Sequence, residues 1–202
     1  FTVLGAAFGT FPLPLFDGGI ATYFLIATAE ASANLARYDG IQYGFRPAGQ
    51  EYEDLAAFYA AARTQAFGAE VRRRIMLGTF ALSSGYYDAY YLKALKVRKL
   101  LQQSYREALS QFDVLLGPVA PTTAPVIGTT LSDPLQGYLA DIYTVAANLT
   151  GLPGLALPCG FDAAGLPIGL QLIGRAFDET TLIKIGGAFQ RVTDFHQKSP
   201  VL

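Results

Sequence analysis

Cysteine and histidine are almost absent from this chain, which has one residue of each type in 202, Cys159 and His196. A single cysteine excludes an internal disulfide bond and a thiolate cluster for a metal ion. The histidine lies in the segment DFHQKSP, with no second histidine and no evident acidic partner, and we interpret it as a surface residue. The sequence thus predicts no metal site, and it suits a reducing compartment such as the cytoplasm.

Charge is also scarce, since charged residues make up 15% of the chain and hydrophobic residues 51%. The longest apolar runs are nevertheless interrupted by Gly, Pro or Asp before they reach the roughly 18 residues that a membrane span needs. A net charge of −1 gives no electrostatic basis for direct nucleic-acid binding, which usually requires a strongly basic face. We therefore predict one domain with a buried core, no contact with a membrane and no direct contact with nucleic acid.

Two short apolar segments organise the stretch from Asp141 to Gly174. Leu155–Leu157 and Gly169–Gly174 are each enclosed by Gly and Pro, a pattern typical of interior strands. Because their apolar residues hardly alternate with polar ones, we expect both faces of these strands to be covered, as in a layered α/β domain. On spacing alone, a generic α/β hairpin is the alternative interpretation.

Apolar periodicity predicts helices in most of the remaining chain. They cover Ile20–Leu35, Glu51–Gln65, a long segment from Glu70 to Leu109, Leu135–Leu149 with Asp141 on it, and Asp178–Phe189. Gly85 should bend or break the long segment near Ser83, since glycine weakens a helix interior. Two further strands are predicted, a short one within Thr2–Phe11 and one at Phe112–Leu116.

A catalytic nucleophile is not evident from the residues. The strongest candidate is the segment Ser83-Ser84-Gly85, because a nucleophilic serine often sits beside glycine. The helical pattern continues on both sides of it, however, and no strand precedes it to form a sharp nucleophile turn. We therefore do not predict a nucleophile at this position.

Three polar residues in apolar surroundings suggest a binding site instead: Tyr23, Arg74 and Asp141. An arginine can hold a carboxylate in a bidentate fork, an aspartate can accept hydrogen bonds from an ammonium group, and a tyrosine hydroxyl can orient either. Together they would recognise the charged groups of a free amino acid. Taken singly, each could equally form an ordinary ion pair or a helix-surface contact.

Four segments resemble a known family. They are EASANLARYDGIQYG (Glu30–Gly44), FGAEVRRRIMLGTFALSSGYYDAYYLKALKVR (Phe67–Arg98), FDVLLGPVAPTTAP (Phe112–Pro125) and NLTGLPGLALPCGFDAAGLPIGLQLIG (Asn148–Gly174). These segments are similar to the amidase-signature family, and the first two to the A subunits of its tRNA-dependent amidotransferases. The resemblance implies an α/β/α sandwich with a mixed central sheet, of which residues 1–202 form a single partial domain, the carboxy-terminal portion. Because the chain opens on Phe1 rather than Met, we expect it to be part of something longer.

The resemblance further implies a glutaminase that uses a Ser, cis-Ser, Lys triad. Its ammonia passes to a B subunit, which uses ATP and magnesium to convert Glu-tRNA(Gln) or Asp-tRNA(Asn), and a C subunit completes the heterotrimer. Transfer RNA is thus contacted only indirectly, through the B subunit. No segment of this chain matches the family's nucleophile segment or catalytic lysine, so we expect no cofactor in this chain and no amidase activity from it alone.

The same resemblance places Tyr23, Arg74 and Asp141 at the glutamine pocket, with Arg74 for the α-carboxylate and Asp141 for the α-amino group. Arg72 and Arg73 compete with Arg74 for this role, and Asp133 competes with Asp141. Two alternatives stay open for the whole chain: a fragment of another amidase-signature hydrolase, and a non-catalytic module that docks partner subunits.

Overall fold

The computed structural model of the chain describes residues 1–13, 16–49, 51–128 and 134–199, with only the backbone for residues 134–136. Its regular elements are seven α-helices, three strands and a few shorter helical turns within those ranges. The helices are α1 (Gly19–Leu35), α2 (Leu55–Ala66), α3 (Ala69–Ala81), α4 (Lys93–Gln111), α5 (Pro134–Leu139), α6 (Val145–Thr150) and α7 (Glu179–Arg191). The strands are β1 (Leu115–Pro118), β2 (Gly154–Phe161) and β3 (Pro167–Ile173).

The chain divides into two compact units, which we describe separately. One unit comprises Ala21–Lys96, and the other comprises Phe1–Ile20 together with Val97–Leu202. The prediction of a single partial domain over residues 1–202 stays a prediction.

The second of these units is built around a three-stranded sheet in the order β1-β3-β2. Both strand pairs are antiparallel. Leu172 of β3 lies opposite Leu116 of β1 on one side and opposite Leu155 of β2 on the other. The described strands therefore do not display the mixed directions that the resemblance implies for a complete central sheet. Strand β2 includes the predicted segment Leu155–Leu157, and β3 covers the predicted segment Gly169–Gly174 except for Gly174. Strand β1 begins three residues later than predicted.

Both faces of the central strand β3 are covered, as the sequence predicts. The same prediction is wrong for β2, because Ala156 is exposed on the face opposite Leu155 and Leu157. Leu170 and Leu172 of β3 point to one face and pack with Leu157 and with Leu182 of α7. Ile173 points to the opposite face, where it packs with two buried residues, Tyr105 of α4 and Ala146 of α6. Apolar burial on both sides of a sheet is the arrangement of a layered α/β domain, so the predicted fold class is confirmed.

Helix α7 approaches β2 unusually closely at Gly186. A Cβ atom on Gly186 would lie 2.6 Å from Cδ2 of Leu155 and 3.0 Å from Cδ1 of Leu157. On the neighbouring Gly187, the same atom would meet only Nη1 of Arg191, at 3.7 Å. Gly186 thus permits the close contact between helix and sheet, whereas a side chain at Gly187 would have room.

The predicted helix Leu135–Leu149 is wrong as a continuous element, because α5 and α6 are separated by the turn at residues 140–144. The turn closes through the carbonyl of Asp141, which accepts hydrogen bonds from the backbone N–H of Thr144 and of Val145, each at 3.0 Å. Gln171 of β3 donates its side-chain amide to the carbonyl of Tyr143 at 2.9 Å. Since Asp, Ile, Tyr and Thr all have modest helix propensity, the local preference for a helix is weak here, and the bond from Gln171 holds the segment as a turn.

The predicted strand within Thr2–Phe11 is also wrong. Thr2–Leu4 forms a 3₁₀ turn, and the following residues to Leu13 adopt no regular structure. Residues 2–10 are all exposed, and no described strand pairs with them, so their β-branched and aromatic side chains find no sheet to join.

In the unit Ala21–Lys96, α1 and α3 agree with the predicted helices, and α2 begins later than predicted, at Leu55. Asp54 caps α2 by accepting a hydrogen bond from the N–H of Ala57 at 2.7 Å. The predicted break near Ser83 is confirmed: α3 ends at Ala81, Gly85 adopts a φ of 85°, and a π-helical turn follows at Tyr87–Leu92. Among the described residues, no helix combines the length and the apolar character required to cross a bilayer.

The glycine pair of α7 provides a test of the core. We expect Gly186→Ala to lower the free energy of unfolding by up to about 2 kcal/mol, because overpacking costs about 1–3 kcal/mol and improved helix propensity recovers about 1 kcal/mol. Gly187→Ala is the matched control and should raise the free energy of unfolding by up to about 1 kcal/mol. Urea denaturation of both variants measures the difference, and equal stabilities would contradict the close contact.

Tyr105 makes the stability of the chain sensitive to alkaline pH. Burial raises the pKa of Tyr105 from its usual 10.0 to about 12. Below pH 10 the phenol is neutral in both the folded and the unfolded chain, whereas between pH 10 and 12 only the unfolded chain releases the proton. The free energy of unfolding should therefore fall by about 1.4 kcal/mol per pH unit across this window, about 3 kcal/mol in all.

The variant Tyr105→Phe lacks the ionisable hydroxyl group and retains the other tyrosines. It therefore isolates the contribution of Tyr105 to the pH dependence of the free energy of unfolding. Urea unfolding at several pH values between 9 and 12 should show a shallower decline for Tyr105→Phe than for the unsubstituted chain. Identical declines would show that Tyr105 ionises equally easily in the folded and unfolded chains.

Candidate functional site

The structure brings two of the three predicted binding residues into the same unit. Tyr23 lies on α1 and Arg74 on α3, and both side chains are half-buried. Asp141 belongs to the other unit, where it is exposed in the turn between α5 and α6 instead of lying on a helix as predicted. The meeting of all three residues around one ligand therefore stays a prediction.

Arg74 is held by three neighbouring side chains within the unit Ala21–Lys96. Its Nε donates a hydrogen bond to Oε1 of Glu70 at 3.0 Å, and its guanidinium carbon lies 5.5 Å from the centroid of the Phe24 ring. The hydrogen bond to Glu70 raises the pKa of Arg74, and the Tyr23 hydroxyl adds a smaller contribution in the same direction. The guanidinium thus remains cationic under all ordinary conditions and is oriented before any ligand arrives.

This arrangement distinguishes Arg74 from its two neighbours in sequence. The side chain of Arg74 is 33% exposed, compared with 48% for Arg73, and Arg72 is exposed as well. Nη1 of Arg73 donates to Oε2 of Glu70 at 2.6 Å, and no aromatic contact accompanies it among the described residues. The surroundings of Arg74 therefore favour it over Arg72 and Arg73 for the binding role.

The position of Tyr23 relative to Arg74 depends on close packing of α1 against α3. A Cβ atom on Gly78 would lie 1.9 Å from the carbonyl oxygen of Thr28, a separation that no side chain could tolerate. Nearby, the hydroxyl oxygens of Ser32 and Thr79 lie 2.9 Å apart and share a hydrogen bond. In the sequence, Gly78 indicates only a weakened helix, and its role as a contact point between two helices required the structure.

The Asp141 carboxylate accepts no hydrogen bond from any described residue, so it is accessible to a cationic ligand. Its backbone position is fixed, because the turn at residues 140–144 is closed by its own carbonyl and tied to β3 through Gln171. The competing candidate Asp133 lies outside the described residues. An exposed carboxylate on a fixed turn is chemically suited to accept from an ammonium group.

Ser83 does not have the surroundings of a nucleophile. Its hydroxyl donates to the carbonyl of Phe80 at 2.7 Å, which is a local contact at the end of α3. Over the described ranges, no three His, Cys, Asp or Glu side chains come together in a way that could hold a metal ion.

An apolar cleft of ≈ 360 Å³ opens beside β1, and no pattern in the sequence indicates it. Its walls include Leu13, Phe16, Leu115 and Ile173, together with the residues Tyr105, Tyr143 and Gln171. None of the three predicted binding residues lines it. Residues from several separate segments meet there, so a local pattern could not have predicted the cleft.

Comparison with known proteins identifies relatives over nearly the whole chain. The A subunit of a glutamyl-tRNA(Gln) amidotransferase from Lachnospira eligens is 57% identical over 187 residues, which are 93% of this chain and 38% of that protein. The corresponding protein from Gloeobacter violaceus is 53% identical over 199 residues, which are 98% of this chain and 40% of that protein. The chain thus spans about two fifths of the length of these curated relatives.

Solved structures agree with this comparison. A crystal structure of the A subunit of glutamyl-tRNA(Gln) amidotransferase from Thermotoga maritima matches with a TM-score of 0.63 and 41% identity, over 90% of this chain and 34% of that one. The structure of 6-aminohexanoate cyclic dimer hydrolase matches with a TM-score of 0.70 over 98% of this chain and 40% of that one. The two sequences are 17% identical, so this match is evidence for a shared fold only. A family profile described as Amidase matches residues 2–183. The chain therefore belongs to the amidase family, the amidase-signature proteins that its sequence resembles.

Proposed function

We propose that this chain is the glutamine-binding part of the glutaminase subunit of a tRNA-dependent amidotransferase. The observation that carries the proposal is the guanidinium of Arg74, which is preoriented by Glu70 and Phe24 beside the Tyr23 hydroxyl. Identities of 52–57% to the A subunits of glutamyl-tRNA(Gln) amidotransferases from several bacteria support the choice of substrate.

In this function, the two charged groups of glutamine are recognised separately. Arg74 pairs with the α-carboxylate through a bidentate contact, for which a guanidinium is geometrically suited. Asp141 accepts hydrogen bonds from the α-ammonium group, and the Tyr23 hydroxyl orients the ligand. Neutral amides lack both charges, so the pair selects a free amino acid over the amide substrates of other amidases.

The reaction itself requires parts beyond these residues. In the proposed function, a Ser, cis-Ser, Lys triad outside this chain releases ammonia from the side-chain amide of glutamine. The ammonia passes to a B subunit, which uses ATP and magnesium to amidate Glu-tRNA(Gln) or Asp-tRNA(Asn), with a C subunit completing the complex. The chain alone is therefore inactive as an amidase in this proposal.

The proposal is tested by restoring an amino-terminal half. The corresponding portion of the Lachnospira eligens relative, placed ahead of Phe1, should yield a protein that releases ammonia from glutamine, whereas the 202-residue chain should not. A protein that only docks partner subunits would gain no activity from this addition. Failure of the restored protein to release ammonia would thus overturn the proposed function.

Within the restored protein, we expect Arg74→Gln to raise the KM for glutamine about 10–100-fold, the range corresponding to a lost hydrogen bond to a charged group. Arg72→Gln is the matched control, because it removes the same charge from the same helix, and its KM should stay within about twofold. Steady-state ammonia release at varied glutamine concentration measures both values. Unchanged glutamine use by Arg74→Gln would refute the assignment of the pocket.

A further inference from the structure

Glu70 is shared between two arginines at the start of α3. Its Oε2 accepts from Nη1 of Arg73 at 2.6 Å, and its Oε1 accepts from Nε of Arg74 at 3.0 Å. The residue lies in the first helical turn, where a carboxylate is favoured by the helix dipole. The spacing of three and four residues puts all three side chains on one face of the helix.

The contact with Arg74 restricts the guanidinium without occupying the groups that bind a carboxylate. Of the five N–H groups of a guanidinium, the Glu70 contact uses the one on Nε. The guanidinium carbon of Arg74 also lies over the ring of Phe24, 5.5 Å from the ring centroid. The hydrogen bond at Nε and the contact with the Phe24 ring together restrict the orientation of the guanidinium, and with it the direction of the terminal nitrogens.

The charges of Glu70, Arg73 and Arg74 together also suit a singly charged ligand. Two guanidinium groups and one carboxylate leave a net positive charge on the cluster. That balance attracts one carboxylate, whereas removal of Glu70 would leave two uncompensated cations. Glu70 could therefore act in two opposed ways, by orienting Arg74 or by weakening its attraction for an anion.

We propose that Glu70 is a positioning residue for glutamine: it holds the Nε edge of Arg74 so that the terminal nitrogens receive the α-carboxylate. The inference rests on the proposed role of Arg74. Preorganisation lowers the cost of immobilising a long, flexible side chain when a ligand binds, and an arginine side chain has substantial rotamer entropy to lose. Orientation therefore outweighs the partial cancellation of charge.

Two substitutions separate orientation from charge, in the protein with the restored amino-terminal half. Glu70→Gln keeps the length of the side chain and an oxygen acceptor while removing the charge. Glu70→Asp keeps the charge and shortens the side chain, so that the carboxylate withdraws from Nε of Arg74. Glu107→Asp is the control, because Glu107 makes a comparable exposed contact with Gln103 four residues away on α4.

A positioning role predicts that Glu70→Asp raises the KM for glutamine about tenfold with kcat within about twofold, and that Glu70→Gln stays within about threefold in both. A role through charge alone predicts the reverse, with a lower KM for Glu70→Gln and no change for Glu70→Asp, and would overturn the inference. Hydrolysis of propionamide, which has no α-carboxylate, should be the same in all variants. Loss of propionamide hydrolysis in Glu70→Asp would instead indicate a structural role and would also overturn it.

The result for Arg74→Gln separates this inference from the function on which it rests. If Arg74→Gln raises the KM while both Glu70 variants leave it unchanged, the pocket assignment stands and the role of Glu70 is refuted. If Arg74→Gln itself has no effect, both are refuted. In the 202-residue chain without any addition, slow solvent exchange of the Arg74 Nε–H, observed by NMR, should persist in Glu70→Gln and be lost in Glu70→Asp; equal exchange rates would contradict the positioning contact.

Discussion

Strand β3 is the element on which the sheet-containing unit depends, because it is bonded along both edges and covered on both faces. Its neighbours β1 and β2 each pair with it and not with each other. Leu170 and Leu172 belong to one apolar cluster, and Ile173 belongs to a second on the opposite side. A single short strand thus joins two separate cores, and α4, α6 and α7 are positioned by their contacts with it.

The helical unit Ala21–Lys96 depends on a different constraint, the close contact between α1 and α3. The absence of a side chain on Gly78 lets the backbone of the two helices approach at Thr28. That approach brings the aromatic residues Tyr23 and Phe24 beside Arg74, which would otherwise be an ordinary surface arginine. In the proposed function, recognition of a carboxylate therefore depends first on this helix packing and then on the contact of Arg74 with Glu70.

The sequence predicted the elements that neighbouring residues determine. It missed the features that depend on contacts between residues far apart in the sequence. Strands β2 and β3 were predictable because Gly and Pro enclose each apolar run. The turn before α6 was not, since Gln171 of β3 binds a carbonyl of that turn from 28 residues away. Arg74 could be selected by its chemistry and by family resemblance, but Glu70 could not, because an acid three or four residues before arginines is typical of any exposed helix.

The bond from Gln171 to Tyr143 also links strand pairing to the Asp141 carboxylate. Adjacent side chains of a strand point to opposite faces, so a slip of β3 by one residue would turn the amide of Gln171 towards α7. The turn would then lose its attachment, and the carboxylate that it carries would no longer have a fixed height above the sheet. The register of the sheet therefore determines the position of the Asp141 carboxylate, although Asp141 is not part of the sheet.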